Sequence, residues 1–310
     1  MKIFQNVLYV TEPSLDQGAA IARAVTLAES NLAELTFIDV SPPTADRQQA
    51  AAVLDNRRAI LESLTEPHRH RLNIKLEVRM GTVFLEVIRA VLRNGHDLVV
   101  KAAENPDFLK RLFGSDDMHL LRKCPCPVWL MKMPEKSKYD CIVAAVDLDL
   151  LRPAAEQDLN LDILELAGSL ALSESASLHL VHAWGAFAEG ALLARSEGRT
   201  DAATTHVEQE YMNRQKLLFA LGERLRQQLG AEAYNRLLPR FHLPKGSPQK
   251  MLPAVAEELR ADLVVMGTVV RTGIAGFIIG NTAEAILNQL TCSVLAIKPA
   301  GFSTPVKLAG

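Results

Sequence analysis

The sequence has few cysteine and aromatic residues. Only four of its 310 residues are cysteines, and phenylalanine, tryptophan and tyrosine together make up 5%. A structural zinc site usually needs four well-spaced ligands, often as two Cys-x-x-Cys pairs, whereas Cys124 and Cys126 are separated by Pro125 alone. We therefore expect four reduced, buried thiols and no metal site.

Long apolar runs and an excess of one charge are also missing. No stretch of 18 apolar residues occurs, so no membrane-spanning helix is expected. The apolar start of the chain is interrupted by Gln5 and Asn6, unlike the core of a signal peptide. The net charge is −2 and the pI is about 6.5, so neither a nucleic acid nor a membrane is expected as a partner. We predict a cytoplasmic protein.

What the sequence does contain is an alternation of short apolar strands and helices. A chain of 310 residues corresponds to about two domains of roughly 150 residues each. The alternation predicts an α/β fold with an open, mostly parallel, five-stranded Rossmann-like sheet and helices on both faces. In the first half the predicted strands are 4–10, 35–40, 75–79, 97–101 and 126–131, and the predicted helices are 17–30, 47–64, 84–92 and 115–122.

The second half repeats the order of the first. Tyr139 to Asp147 matches Phe4 to Glu12 without a gap, and Gly280 lies 166 positions after its counterpart Gly114. A repeat of this length indicates a duplicated domain. The connecting segment is too short and polar to separate two independent domains, so the halves should pack on each other. The predicted organisation is a first domain at 1–133, a linker at 134–138, a second domain at 139–300 and a tail at 301–310.

One stretch of the second half, 262–299, has the order strand, glycine-containing loop, helix, strand. Asp262 to Met266 is rich in β-branched residues and is followed by Gly267, and a helix is predicted after Gly280. The N-terminus of such a helix can hold an anion, because its unpaired N–H groups and its dipole point there.

These segments resemble the tandem universal stress proteins, the E type of proteobacteria among them. The resemblance rests on HDLVVKAA at 96–103, HLLRKCPCPVW at 119–129, GNTAE at 280–284 and Thr304-Pro305-Val306 in the tail. It implies two five-stranded domains of the adenine nucleotide alpha hydrolase-like type. In this family such domains commonly pair through their last strands with two-fold symmetry, so a tandem chain would form an intramolecular pseudo-dimer.

The resemblance also implies a site for ATP or a related adenine nucleotide in the second half. In nucleotide-binding members an aspartate after the first strand contacts the adenine or ribose, the main chain after the second strand contacts the adenine, and a glycine loop with the following helix holds the phosphates. The matching positions are Asp147, Ala183, Gly267, Val270, Gly280, Asn281 and Thr282.

This motif is only half kept. Val270 stands where the family has its second glycine, and a β-branched residue is a poor choice for a position that needs positive φ or close phosphate contact. Asn281 replaces a serine or threonine. It could donate to a phosphate, or it could simply cap the helix with Glu284 completing a capping box. The site of the second half is therefore predicted to be degenerate.

The first half keeps less of the motif. Glu12 replaces the aspartate, and Asp116 and Asp117 would complement the helix dipole themselves and repel a phosphate. We expect no nucleotide there. His179 and His182 are not expected to pair with each other, and both are expected to have structural roles. Trp184 would either wall the ligand site or fill it, and the Ala-rich segment Gly185–Thr204 is either a lid or a disordered loop.

Three functions are compatible with these features. The first is a non-enzymatic stress-response protein that acts by binding a ligand or partner, with a degenerate nucleotide site in its second half. The second is an ATP-binding switch or slow ATPase that uses Asp147 and the loop from Gly267 to Thr282. The third is an interaction scaffold whose pockets are filled by side chains. We favour the first because no nucleophile and base occur at a recognisable spacing. A homodimer of tandem chains is a further open possibility, and no protein partner is indicated.

Overall fold

The computed structural model describes residues 3–103, 115–148, 154–185, 201–268 and 280–308. The chain forms two compact units. The first combines Met1–Lys138 with Thr268–Gly310, and the second is Tyr139–Gly267. The strands and helices of each unit are described separately below.

The first unit is built on a sheet in which every neighbouring pair of strands but one is parallel. The strand order is β3-β2-β1-β4-β5-β10, and only β10 runs antiparallel to its neighbour β5. Its strands are β1 (Asn6–Val10), β2 (Glu34–Ser41), β3 (Ile74–Met80), β4 (Leu98–Ala102), β5 (Val128–Met131) and β10 (Ser293–Ile297). Its helices are α1 (Gly18–Asn31), α2 (Arg47–Thr65), α3 (Val83–Asn94), α4 (Asp116–Lys123) and α9 (Asn281–Leu287).

The second unit has a smaller sheet whose described strands are all parallel. The order is β9-β6-β7-β8. Its strands are β6 (Cys141–Ala145), β7 (Ser177–Val181), β8 (Arg240–His242) and β9 (Leu263–Gly267). Its helices are α5 (Ala154–Glu174), α6 (Asp201–Leu229), α7 (Ala231–Leu237) and α8 (Pro248–Glu258). The predicted α/β fold with a mostly parallel sheet is confirmed.

The central strands of both units are buried on both faces, as expected for parallel sheets covered by helices. Each unit also holds the start of its first strand with an aspartate. Asp97 accepts hydrogen bonds from the N–H groups of Gln5 and Asn6 at 2.6 and 3.0 Å. The equivalent Asp262 accepts from Asp140 and Cys141 at 2.7 and 3.0 Å. Residues 97–100 and 262–265 share the sequence DLVV, and this match extends to the same hydrogen bonds.

The segment predicted to be a polar linker is anchored in the first unit. Glu135 is buried and forms an ion pair with the buried Arg23 of α1, with 2.7 Å between Oε1 and Nε. Its other oxygen accepts a hydrogen bond from the hydroxyl of Ser293 on β10 at 3.4 Å. This segment therefore belongs to the packed structure of the first unit, and the domain boundaries proposed from the sequence stay a prediction.

Two further expectations can be compared with the structure. All four cysteines are buried and unbridged, as predicted. Among the helices in the described ranges, none is long and apolar enough to cross a membrane. The two-fold packing of the halves stays a prediction.

Candidate functional site

Three of the predicted nucleotide-binding residues lie at one edge of the second unit's sheet. Asp147 follows β6, Ala183 follows β7 and Gly267 ends β9, and these three strands are parallel neighbours in the order β9-β6-β7. Ligands of open α/β sheets bind at the carboxyl ends of the strands. The structure therefore brings these three positions together at the edge where a ligand is expected.

The main chain of Asp147 is held by two hydrogen bonds with a side chain of α5. The buried Asn160 of α5 accepts a hydrogen bond from the N–H of Asp147 at 3.0 Å and donates one to its carbonyl at 2.7 Å. The side chain of Asp147 is exposed. We did not identify Asn160 from the sequence, because no helix was recognised there.

The main chain of Ala183 remains available for a ligand. The N–H groups of its neighbours His182 and Trp184 bond to the carbonyls of His242 and Pro244 at 3.0 and 3.1 Å. Because successive residues of an extended chain direct their N–H and C=O groups to opposite sides, those of Ala183 face away from this pairing. In the part of the chain that the structure describes, they have no hydrogen-bond partner.

Gly267 also lies in close contact with a helix of the second unit. A Cβ atom at this position would lie 2.7 Å from Cδ2 of Leu159 and 3.8 Å from Cδ1 of Ile163, both on α5. Real Cβ atoms essentially never approach another heavy atom that closely. The glycine therefore allows the side chain of Leu159 on α5 to pack closely on the end of β9, and its role toward a ligand stays a prediction.

The other predicted positions lie in the first unit or outside the described residues. Asn281 and Thr282 are exposed in the first turn of α9, and Gly280 is its N-cap with φ −60° and ψ 137°. The prediction that Asn281 caps this helix with Glu284 is wrong, because no side chain caps α9 and Glu284 instead pairs with Arg122 at 2.8 Å. Val270 lies outside the described residues, as does most of the segment that we suggested as a lid.

The corresponding edge of the first unit is filled by charged side chains of the protein itself. Lys101, near the end of β4, has a side chain with no solvent exposure. Its Nζ lies 2.8 Å from Oδ1 of Asp117 on α4 and 3.3 Å from Oε2 of Glu12, which follows β1. Gln17 clamps the main chain of Glu12, accepting from its N–H at 3.1 Å and donating to its carbonyl at 3.2 Å.

This ion-pair network is not predicted from the sequence. From the sequence we expect Asp117 to interact with the helix dipole and Lys101 to end a strand. The signal was a lysine continuing a run of apolar residues that reads as a buried strand. In the second half the DLVV register places Met266 at the position of Lys101, and the 166-residue offset places Ala283 at that of Asp117. The second half thus carries neither the lysine nor the second carboxylate.

Trp184, His179 and His242 have structural contacts within the second unit. Trp184 is buried, donates from Nε1 to the carbonyl of Leu243 at 3.1 Å and lies against Tyr211 of α6, with ring centroids 5.8 Å apart. His179 pairs with His242, with 2.9 Å between Nδ1 and Nε2. Nowhere in the described ranges do three or more histidine, cysteine or acidic side chains form a group that could hold a metal ion.

With this geometry established, comparison with known proteins identifies the family. Residues 3–132 and again residues 138–298 match the sequence profile of the universal stress protein family. The chain belongs to that family. The two matched regions make it a tandem universal stress protein, as the internal repeat predicts.

Relatives of this universal stress protein match it over nearly their whole length. Universal stress protein E of Escherichia coli K12 is 31% identical over 331 aligned positions, covering 99% of this chain and 98% of that protein. The E protein of Photorhabdus laumondii is 28% identical over 329 positions, covering 100% and 99%.

Solved structures show the same fold. A protein of unknown function from Pseudomonas aeruginosa PAO1 has a TM-score of 0.66 and 26% identity, covering 96% of this chain and 94% of its own. A universal stress protein from Archaeoglobus fulgidus has a TM-score of 0.63 at 18% identity, covering 96% and 97%, and supports the fold alone.

Proposed function

We propose that this universal stress protein acts by binding rather than by catalysis, and that its second half holds ATP or a related adenine nucleotide weakly. The contrast between the two strand edges supports this proposal. In the first half Lys101 forms ion pairs with Glu12 and Asp117, whereas in the second half the side chain of the equivalent Asp147 is exposed and the position of Lys101 is taken by Met266.

The roles follow from the chemistry of each group. The carboxylate of Asp147 would accept hydrogen bonds from ribose hydroxyls or from the adenine amino group, and its main-chain clamp by Asn160 holds it in place. The N–H and C=O of Ala183 would offer one donor and one acceptor to the adenine edge. In the sequence motif, Gly280, Asn281 and Thr282 are the positions for the phosphates, and Val270 weakens that part of the motif.

The first half is proposed to bind no nucleotide. A phosphate placed beside the carboxylates of Asp117 and Glu12 would compete with them for Lys101, and it would have to displace an ion pair whose lysine is fully buried. Removing a buried charge from its partner is strongly unfavourable. The two halves would therefore differ in function although they share a fold.

The first test is to denature the purified protein and search the supernatant for a released adenine nucleotide, followed by calorimetric titration of the full chain with ATP, ADP and AMP. Asp147→Asn should weaken ATP binding about tenfold, which corresponds to the loss of one hydrogen bond to a charged group. The matched variant Glu12→Gln, at the equivalent position of the first half, should leave the affinity unchanged.

A second variant tests whether the site is degenerate. Val270→Gly restores the glycine of the family motif and should raise the affinity for ATP. If neither the natural chain nor Val270→Gly binds any of the three nucleotides, the proposal fails and the scaffold function is favoured. Release of inorganic phosphate from ATP that depends on Asp147 would instead favour the ATPase.

A further inference from the structure

Two thiols lie in direct contact in the first unit, away from the strand edge described above. Cys124 follows the last turn of α4, and Cys126 lies two residues before β5. Both are buried, and their Sγ atoms are 3.6 Å apart. A disulfide requires about 2.05 Å between the sulfurs, so the pair can close with a small movement of the side chains.

A buried lysine accompanies the two thiols. Lys298 follows β10, and its Nζ donates hydrogen bonds to the carbonyl of Leu121 and to the hydroxyl of Thr268. It also lies 5.4 Å from the ring centroid of Phe302. Burial lowers the pKa of Lys298 to about 8, and the neighbouring thiols Cys124 and Cys126 act in the opposite direction. At neutral pH the lysine therefore remains mostly positive, close enough to the thiols to influence them.

The two sulfurs have different electrostatic environments, and the pKa values of their thiols shift in opposite directions. Burial by itself would raise the pKa of the Cys124 thiol, but hydrogen bonds from Cys126 and the charge of Lys298 outweigh it and leave this pKa below its ordinary value. The hydrogen bond to Cys124, followed by burial, raises the pKa of Cys126 well above its ordinary value. Cys124 is accordingly the sulfur that more readily becomes a thiolate, the nucleophilic form.

We propose that Cys124 and Cys126 form a reversible disulfide in response to hydrogen peroxide, with Lys298 positioned to favour the reactive thiolate. The observation that carries this is the contact between two buried sulfurs 3.6 Å apart, with the buried Lys298 hydrogen-bonded to the carbonyl of Leu121, three residues before Cys124. Peroxide is the oxidant that fits, because Cys124 has no exposed surface and a molecule little larger than water reaches it more easily than a bulky disulfide.

The reaction is balanced by the two thiols and one peroxide molecule. The Cys124 thiolate attacks one peroxide oxygen, the O–O bond breaks, and the leaving hydroxide takes a proton to become water, so Cys124 becomes a sulfenic acid. The sulfur of Cys126 then attacks Sγ of Cys124, and the departing hydroxide takes the Cys126 proton as a second water. Two thiols are oxidised by two electrons, and peroxide is reduced to two waters. A dithiol reductant reverses the disulfide by exchange.

The test treats the folded full-length protein with hydrogen peroxide and measures its intact mass, then blocks the remaining thiols after denaturation and maps the peptides. We expect loss of two alkylatable thiols, a mass decrease of about 2 Da from the removal of two hydrogens, and a peptide containing linked Cys124 and Cys126. Dithiothreitol should restore both thiols. Cys141 is the internal control, since burial raises the pKa of its thiol and it should stay alkylatable.

Two variants make the proposal falsifiable. Cys126→Ser should stop the reaction at a Cys124 sulfenic acid, which dimedone traps. Lys298→Met should slow disulfide formation by roughly three- to tenfold through a smaller thiolate fraction, while circular dichroism checks that it folds. If Cys124 and Cys126 oxidise no faster than Cys141, or reach sulfinic acid without ever linking, the disulfide proposal is overturned. An unchanged rate in folded Lys298→Met would overturn the role assigned to the lysine.

Discussion

At the scale of single residues, Lys101 and Met266 occupy equivalent positions in the two halves and have opposite consequences. Lys101 neutralises Glu12 and Asp117 in a buried network. Met266 is buried and carries no charge, and the position of the second carboxylate is taken by Ala283. The lysine and the buried carboxylate are absent together, and the remaining Asp147 has an exposed side chain, which is consistent with the cost of a lone buried charge.

The first prediction concerns this network. Lys101→Met leaves Asp117 buried without its counter-charge and should lower the free energy of unfolding by about 3–5 kcal/mol. The double variant Lys101→Met with Asp117→Ala reproduces the residues of the second half and should recover a large part of that loss. Urea unfolding of both variants measures the difference. Equal destabilisation by the single and double variants would contradict a coupled network.

The second prediction concerns Gly267. Gly267→Ala places a methyl group against Leu159 of α5 and should destabilise the protein by about 1–3 kcal/mol through overpacking. Leu159→Ala in the same chain opens space for that methyl group, so the double variant should lose less stability than the two single losses combined. Thermal unfolding can follow all three variants. If Gly267→Ala is as stable as the natural chain, close packing is not what requires the glycine.

The sequence predicts the place of a residue when that place depends on the strand or helix next to it. It does not predict contacts between residues that are far apart in the chain. Asp147 and Ala183 follow strands that can be recognised in the sequence, so their place at the sheet edge could be predicted. The contact of Gly267 with Leu159 joins residues more than 100 positions apart, and no local pattern reveals it. Lys101 and Glu12 are 89 positions apart, and no local pattern reveals their pairing either.

At the scale of elements, the helix α5 shows why periodicity alone was insufficient. We identified no helix at this place in the sequence. Its apolar residues are buried on several sides, because it contacts β6 and β9 as well as α6 and α7. Such a helix lacks the single apolar stripe from which amphipathic helices are recognised. The more amphipathic α3 (Val83–Asn94), by contrast, lies within two residues of its predicted range at each end.

The third prediction concerns the contact between β7 and β8. Burial, followed by the neighbouring charge of His242, lowers the pKa of His179 to about 4, and burial also lowers the pKa of His242. An unfolded chain takes up its proton on His179 near pH 6.5, whereas the folded chain resists it until about pH 4. Stability should therefore be complete above pH 6.5 and fall as the pH is lowered toward 4.

The linkage relation sets the size of this effect. Between these two pH values, one proton taken up on unfolding contributes a slope of at most about 1.4 kcal/mol per pH unit. Urea midpoints measured from pH 7 to pH 4 give the slope, and His179→Gln, which cannot titrate, should reduce it. Because Arg240 and Glu258 also act on His242, the comparison uses the difference between the two proteins at each pH. Parallel pH profiles would rule out His179 as the cause.

At the scale of the whole molecule, the first unit is completed by residues from the far end of the chain. β5 and β10 are the last strands of the two sequence repeats, and they pair in antiparallel orientation. The paired residues are Val294 with Leu130, Leu295 with Trp129, and Ala296 with Val128. The duplication was visible in the sequence, as were the five strands of the first half. The addition of β10 was implied only by the resemblance to a family, since periodicity contains no information about which strand edges meet. The two-fold packing of the two halves stays a prediction.

The fourth prediction concerns a fragment of residues 1–138. Such a fragment ends before β10, so β5 would expose a buried, apolar strand edge, and edges of this kind pair with other chains. We expect it to aggregate or self-associate, measured by size-exclusion chromatography with light scattering. The matched control carries residues 280–308 on a flexible Gly/Ser linker after residue 138. This control should self-associate less than the fragment, because β10 can then cover β5 within the same chain. A monomeric, folded 1–138 fragment would contradict the dependence of the first unit on β10.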